Sequence, residues 1–276
     1  MKKHLYITGK ALGFFVLWLL STILLTIPAV SEPSFLNTNA AFLRLWWELL
    51  PLLGILLATG IFVLVIEKSR IRVPIFTNSA INIFRGFMLG CIWLGVTVIF
   101  LFLIGVFSFG DKNSVTYLPI WFIAALLNVV MQNYLVRGYL FSLFREKYNE
   151  VAAVMITTML FTALHGGAFE AGIIAVLNVA TMSVFMSLVL IFTESLLAPI
   201  MAHFIWNSVG GIVFGVVNIP DDYPNLLNSS LTGNALISGG SADLEGSIAV
   251  LVMNILLIAL MSYLLKKRSK QKTKGI

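Results

Sequence analysis

The chain reads as an all-α polytopic membrane protein, a bundle of about eight transmembrane helices with both termini cytoplasmic. Three observations predict this. Of its 276 residues, 59% are hydrophobic and 11% charged, with a mean hydropathy of +0.97, far outside soluble globular usage. The apolar residues collect in eight runs, most of them close to the about 20 residues a helix needs to cross a bilayer. Lysines and arginines gather in alternate loops, as the positive-inside rule requires. Eight spans take more than half of the chain, so residues 1–276 are expected to form a single integral membrane domain.

The runs can be justified in order. The first, about 11–30, follows the basic Met1-Lys2-Lys3-His4. A signal peptide cut near Ala29-Val30-Ser31 competes, but the run exceeds a usual signal core and more spans follow, so a retained span is expected. The second, about 45–66, carries Trp46 and Trp47 as an interfacial anchor. A basic loop with Lys68, Arg70 and Arg72 leads past Arg85 into the third, about 86–107. Asp111 and Lys112 mark a short polar loop before the fourth, about 118–144. The fifth is about 151–166, closed by a break at Gly166-Gly167 that carries Glu170, and the sixth about 172–192. Thr193-Glu194-Ser195 make a tight turn into the seventh, about 196–217. A loop rich in Asn, Ser and Gly, with Asp221, Asp222, Asp243 and Glu245, precedes the eighth, about 246–265. That last run ends in Lys266-Lys267-Arg268.

The net charge of +6 lies mainly at the N-terminus, in the second loop and in the C-terminal tail. It suits an anionic inner leaflet and not nucleic acid, and a bacterial plasma membrane is the expected location. The single cysteine, Cys91, excludes an intrachain disulfide and is expected to be a small buried hydrophobe.

Polar groups inside these runs carry the functional signal, because such groups are costly in lipid and face partners or a hydrated cavity. Gln132 lies roughly 18 Å from the cytoplasmic end of run four, and His165 roughly 21 Å from that of run five, at about 1.5 Å per residue. His203 and Asn207 lie at a similar level in run seven. Asn128 and Gln132 are one turn apart, as are Asn133 and Arg137, and His203 and Asn207. Pro199 is expected to kink run seven near this level. The expectation is one hydrated site built from three helices. Asn128 and Asn178, taken singly, are better read as interhelical hydrogen-bond glue. Two histidines with amides could hold a metal, but catalytic zinc uses three histidine or carboxylate ligands. No carboxylate is expected at this depth, and no metal or cofactor.

These residues resemble the CPBP family of intramembrane endopeptidases, which includes type II CAAX prenyl proteases and bacteriocin self-immunity proteins. The family pattern is Glu-Glu-x-x-x-Arg, then Phe-x-x-x-His, then His-x-x-x-Asn, each on its own membrane helix. This chain has Gln132-Asn133-Tyr134-Leu135-Val136-Arg137, then Phe161 to His165, then His203 to Asn207, and Arg137-Gly138-Tyr139-Leu140-Phe141 matches the usual continuation. The resemblance covers about residues 118–217. It implies His165 as the water-polarising histidine and His203 with Asn207 as oxyanion donors, while Gln132 and Asn133 stand where both glutamates belong.

An amide cannot accept a proton near neutral pH, and general-base help is worth about 10²- to 10⁴-fold. The resemblance therefore implies weakened or lost hydrolysis of a peptide or membrane-protein substrate. A non-catalytic pseudoprotease, acting as a membrane scaffold or immunity protein, is the alternative. A small-solute transporter is a third reading, for which no inverted repeat speaks.

Overall fold

The computed structural model describes residues 2–29, 39–220 and 222–273. In chain order its helices and strands are α1 (Lys2–Ala29), α2 (Ala40–Gly60), α3 (Ser79–Leu103), β1 (Phe107–Ser108), α4 (Leu118–Asn133) and α5 (Tyr139–Lys147). There follow α6 (Glu150–Leu164), α7 (Gly166–Ala171), α8 (Ile173–Thr193), α9 (Leu197–Ile205), β2 (Ser230–Leu231), α10 (Ala235–Ser238) and α11 (Ile248–Thr273). Wide π-helical turns extend α2 (Ile61–Ile66), join α4 to α5 (Tyr134–Gly138) and extend α9 (Trp206–Val213). Among the described residues six helices are long and apolar enough to cross a membrane, and two shorter apolar helices, Glu150–Leu164 and Leu197–Val213, account for runs five and seven. The chain is an all-α membrane protein, and its described residues add one two-stranded ribbon.

Contacts divide the chain into two units, Met1–Pro74 with Thr116–Ala153, and Ile75–Val115 with Val154–Ile276. In the first unit α2 packs against both α1 and α4. The chain enters α2 through Asn39, whose side chain accepts the Ala41 N–H at 2.8 Å, satisfying one of the donors a helix start leaves open. The proposed cleavage site at Val30-Ser31 lies outside the described residues. α1 and α2 approach closely because Gly54 has no side chain: a Cβ there would lie 2.5 Å from the Thr22 hydroxyl and 3.1 Å from its backbone nitrogen. The aromatic core is Phe14, Phe62 and Tyr139, with ring centroids 4.9, 5.0 and 5.4 Å apart. Beside it, Glu67 is 5% exposed and accepts hydrogen bonds from Lys10 Nζ (2.6 Å) and the Tyr139 hydroxyl (2.8 Å). A carboxylate taken out of water persists when its charge is balanced in this way.

In the second unit α3 packs on α9 and α8 on α11. The α3–α9 crossing rests on small residues every fourth position. Gly86 faces Ala198, and Gly90 faces Ala202; a Cβ at Gly86 would collide with the Ala198 carbonyl, and one at Gly90 would sit 2.7 Å from Ile205 Cβ. Such spacing lets membrane helices approach backbone to backbone. Asn254, fully buried, accepts from Trp93 Nε1 (2.8 Å) and donates to Thr181 Oγ1 (2.9 Å). Asn178 donates to the Glu245 and Ser247 carbonyls (2.8 and 2.9 Å), so it is the bridging amide the sequence suggests. The turn at Thr193-Glu194-Ser195 is as tight as expected, with Glu194 left-handed at φ 51.

Three expectations change. Run three is shifted: its helix is Ser79–Leu103, and Phe107 belongs to β1, which pairs antiparallel with β2 (Phe107 with Leu231, Ser108 with Ser230). The long acidic loop is therefore tied to the short one, and Asn113 reinforces this by donating to the Asn225 carbonyl at 3.0 Å and Asn228 Oδ1 at 2.7 Å. Pro199 produces no mid-helix kink, because α9 begins at Leu197 and the first turn tolerates a missing N–H. The irregularity falls later, at Trp206–Val213. Cys91 is only half-buried.

Candidate functional site

The first motif belongs to the first unit. Asn128 and Gln132 lie one turn apart on α4, and Gln132 Nε2 donates to Asn128 Oδ1 at 2.7 Å. Asn128 Nδ2 in turn donates to Glu48 Oε2 on α2 at 2.8 Å. Asn128 is thus the interhelical bridge the sequence suggests. Glu48 is 3% exposed and forms an ion pair with Arg44, one turn earlier on α2. The expectation that no carboxylate lies near the polar level is wrong: Glu48 is two hydrogen bonds from the Gln132 amide. Sequence reasoning missed it, although the one carboxylate inside Trp46-Trp47-Glu48-Leu49-Leu50 was a signal, since an ionisable group in an apolar run is by default functional.

Asn133 and Arg137 are both fully buried. Asn133 Nδ2 donates to the Val129 carbonyl (2.9 Å), and Arg137 Nη1 donates to Asn133 Oδ1 (3.1 Å). The pair expected from i, i+4 spacing is therefore made, although Arg137 lies in the wide Tyr134–Gly138 turn.

The second and third motifs belong to the second unit. His165 is not within a helix, as its position in run five suggested. α6 ends at Leu164, and His165 takes φ −96, ψ 65 before the short helix Gly166–Ala171. The break thus begins one residue before the two glycines, and Glu170 is exposed in that short helix. The His165 N–H turns back to the Thr162 carbonyl at 3.0 Å. Its ring Nδ1 lies 2.7 Å from the Phe161 carbonyl. A carbonyl only accepts, so Nδ1 carries the proton, and in the neutral ring the lone pair is then on Nε2. That tautomer can take a proton from a water molecule.

His203 is 3% exposed on α9, next to Ala202 in the close crossing with α3. The Phe161 ring touches both imidazoles, stacked obliquely on His165 (centroids 4.2 Å) and edge-on to His203 (6.3 Å). The second and third motifs are brought together around that one ring. Asn207 is half-buried in the wide turn after α9, so the α-helical register linking it to His203 holds only as far as Ile205. Trp206 anchors that turn by stacking on Trp93, with centroids 4.0 Å apart. Among the described residues, no three His, Cys, Asp or Glu side chains gather as a metal ion would require.

Two imidazoles meet one phenylalanine within a chain of apolar helices, and the class of protein these helices define is a helical membrane protein. Residues 114–209, about a third of the chain, match the family model described as Type II CAAX prenyl endopeptidase Rce1-like, a stretch that holds all three motifs and is similar to that family. No curated protein and no solved structure matches it.

Proposed function

We propose that the chain is a CAAX-protease-like intramembrane endopeptidase homologue whose peptide hydrolysis is weakened or lost. The observation that carries this reading is the convergence of His165 and His203 on Phe161, within a segment matching an endopeptidase family. In this reading His165 Nε2 polarises the attacking water, and His203 with Asn207 stabilises the oxyanion of the peptide carbonyl. Gln132 and Asn133 take the places of the two glutamates, with Arg137 completing the first motif. An amide at 132 accepts a hydrogen bond from water but not its proton, which removes about 10²- to 10⁴-fold of general-base assistance. The substrate is a peptide or membrane protein reached from the bilayer, and the membrane is bacterial.

A second reading has its own support. Gln132 and Asn133 are built into hydrogen bonds with Asn128 and Arg137, which suits a pseudoprotease that binds a membrane partner as scaffold or immunity factor. The test is a fluorogenic peptide-cleavage assay in proteoliposomes comparing the parent chain with Gln132→Glu/Asn133→Glu, His165→Ala and His203→Ala. Activity that rises in the double variant and vanishes in the histidine variants supports a disarmed endopeptidase. Equal activity in parent and double variant rejects the disarming, and histidine variants that retain cleavage reject the site.

A further inference from the structure

A line of hydrogen bonds in the first unit has a direction, and Glu48 sets it. A carboxylate only accepts hydrogen bonds, whereas a carboxamide both donates and accepts. Glu48, held by Arg44, therefore obliges Asn128 to present its Nδ2 donor, as the 2.8 Å bond to Oε2 shows. The Asn128 oxygen is then turned to Gln132, which must donate to it, as the 2.7 Å bond from Nε2 shows. The far end of the line is the Gln132 carbonyl oxygen. It is buried and accepts no hydrogen bond among the described residues.

A buried acceptor left unmade costs about 1–3 kcal/mol, so its natural complement is an N–H or O–H donor. We infer that Glu48 is a positioning residue that acts through Asn128 to lock the Gln132 carboxamide with its oxygen turned away from Asn128, making Gln132 Oε1 a binding site for an uncharged hydrogen-bond donor such as water or a peptide N–H. The carboxylate charge is thus displaced from motif one by two hydrogen bonds, while the acceptor is kept. Reversal of the line would present Gln132 Nε2 instead and repel the same donor. This deepens the endopeptidase reading and rests on it only for the donor's role in hydrolysis.

The chain holds two glutamines, Gln132 and Gln271, so selective ¹⁵N-glutamine labelling of the full protein in lipid nanodiscs gives two side-chain amide signals. Loss of one in Gln132→Ala assigns them. In the parent, the Gln132 amide protons should exchange with solvent at least tenfold more slowly than those of Gln271. Glu48→Gln allows the line to run either way, so the Gln132 signal should split or lose that tenfold protection. Glu48→Gln/Asn128→Asp moves the acceptor-only group one link along, directly against Gln132, and should restore a single protected signal.

Rescue by relocating the carboxylate is not expected if Glu48 serves only as a partner for Arg44. An unchanged Gln132 signal in Glu48→Gln, or no recovery in the double variant, overturns the inference. Asn128→Leu, which cuts the line without altering charge, should also abolish protection and serves if Glu48→Gln does not fold; protection retained there overturns the inference equally. No peptide hydrolysis enters these measurements, so their failure leaves the endopeptidase reading standing, and failure of that reading leaves them interpretable.

Discussion

Replacing Gly86 with alanine should loosen the helix crossing that carries His203, and the structure supplies its own control. A methyl at 86 would collide with the Ala198 carbonyl oxygen and lie 2.9 Å from Ala198 Cα and from Met201 Cβ. Two of these three atoms are backbone, so no side-chain rotation relieves the clash and α3 must move away from α9. Overpacking of this kind costs about 1–3 kcal/mol, offset by up to about 1 kcal/mol from the better helix propensity of alanine. The net expectation is a loss of up to about 2 kcal/mol. Gly95, on the same helix, has open space where a Cβ would go. Gly95→Ala should therefore gain up to about 1 kcal/mol from propensity alone. Denaturant unfolding in mixed micelles, followed by tryptophan fluorescence, reads both. Near-identical shifts for the two variants would refute the close-crossing argument, since only helix propensity would then be acting.

Three further outcomes follow from named bonds. Asn254→Leu should cost about 1–3 kcal/mol by stranding the Trp93 Nε1–H in a buried site; unfolding curves unchanged from the parent would remove Asn254 from the core network. Burial alone would raise the Glu67 carboxyl, but the hydrogen bonds from Lys10 and Tyr139 outweigh it and hold the pKa below its ordinary 4.5. The stability Glu67 contributes is full above that ordinary value and lost as acid carries the pH down through the lower folded-state pKa. Parent stability should thus fall in that acidic window and Glu67→Gln should flatten it, which parallel acid titrations of unfolding would check. Gln132→Glu alone would set two acceptors against each other at Asn128 Oδ1, costing about 1–3 kcal/mol. Adding Glu48→Gln reverses the whole line and should recover most of that loss in the same unfolding assay.

Much of this molecule is legible in its sequence because apolar run length and charged punctuation are local properties. The turn at Glu194, the bridging roles of Asn128 and Asn178, and the second and third motifs could all be read directly. Glu48 could not be paired, because its partner Asn128 is 80 residues away and nothing local marks the meeting of α2 with α4. Run three was misplaced because Phe107 is as apolar as the helix before it, while the ribbon that claims it depends on Leu231. The kink expected at Pro199 does not form because a run starting at about Leu196 already puts Pro199 in the first turn, where its missing N–H has no helical partner to lose. The π-helical turns have no short-range signature at all, being set by packing such as the Trp206–Trp93 stack.

One of those turns has a consequence for how the first motif varies. Between Asn133 and Tyr139 the backbone holds a residue more than a regular helix would need, and each residue of an α-helix turns the chain by about 100°. Widening the turn takes up the surplus residue, so the segment beyond Gly138 continues without the full rotation an added residue would otherwise impose on Asn128 and Gln132. A one-residue deletion in this turn would therefore let it close to regular α-helix with the two halves near their present bearings, whereas a deletion within Leu118–Asn133 would swing one part against the other by about 100°. The first motif can thus lose a residue at this turn that it could not lose within Leu118–Asn133.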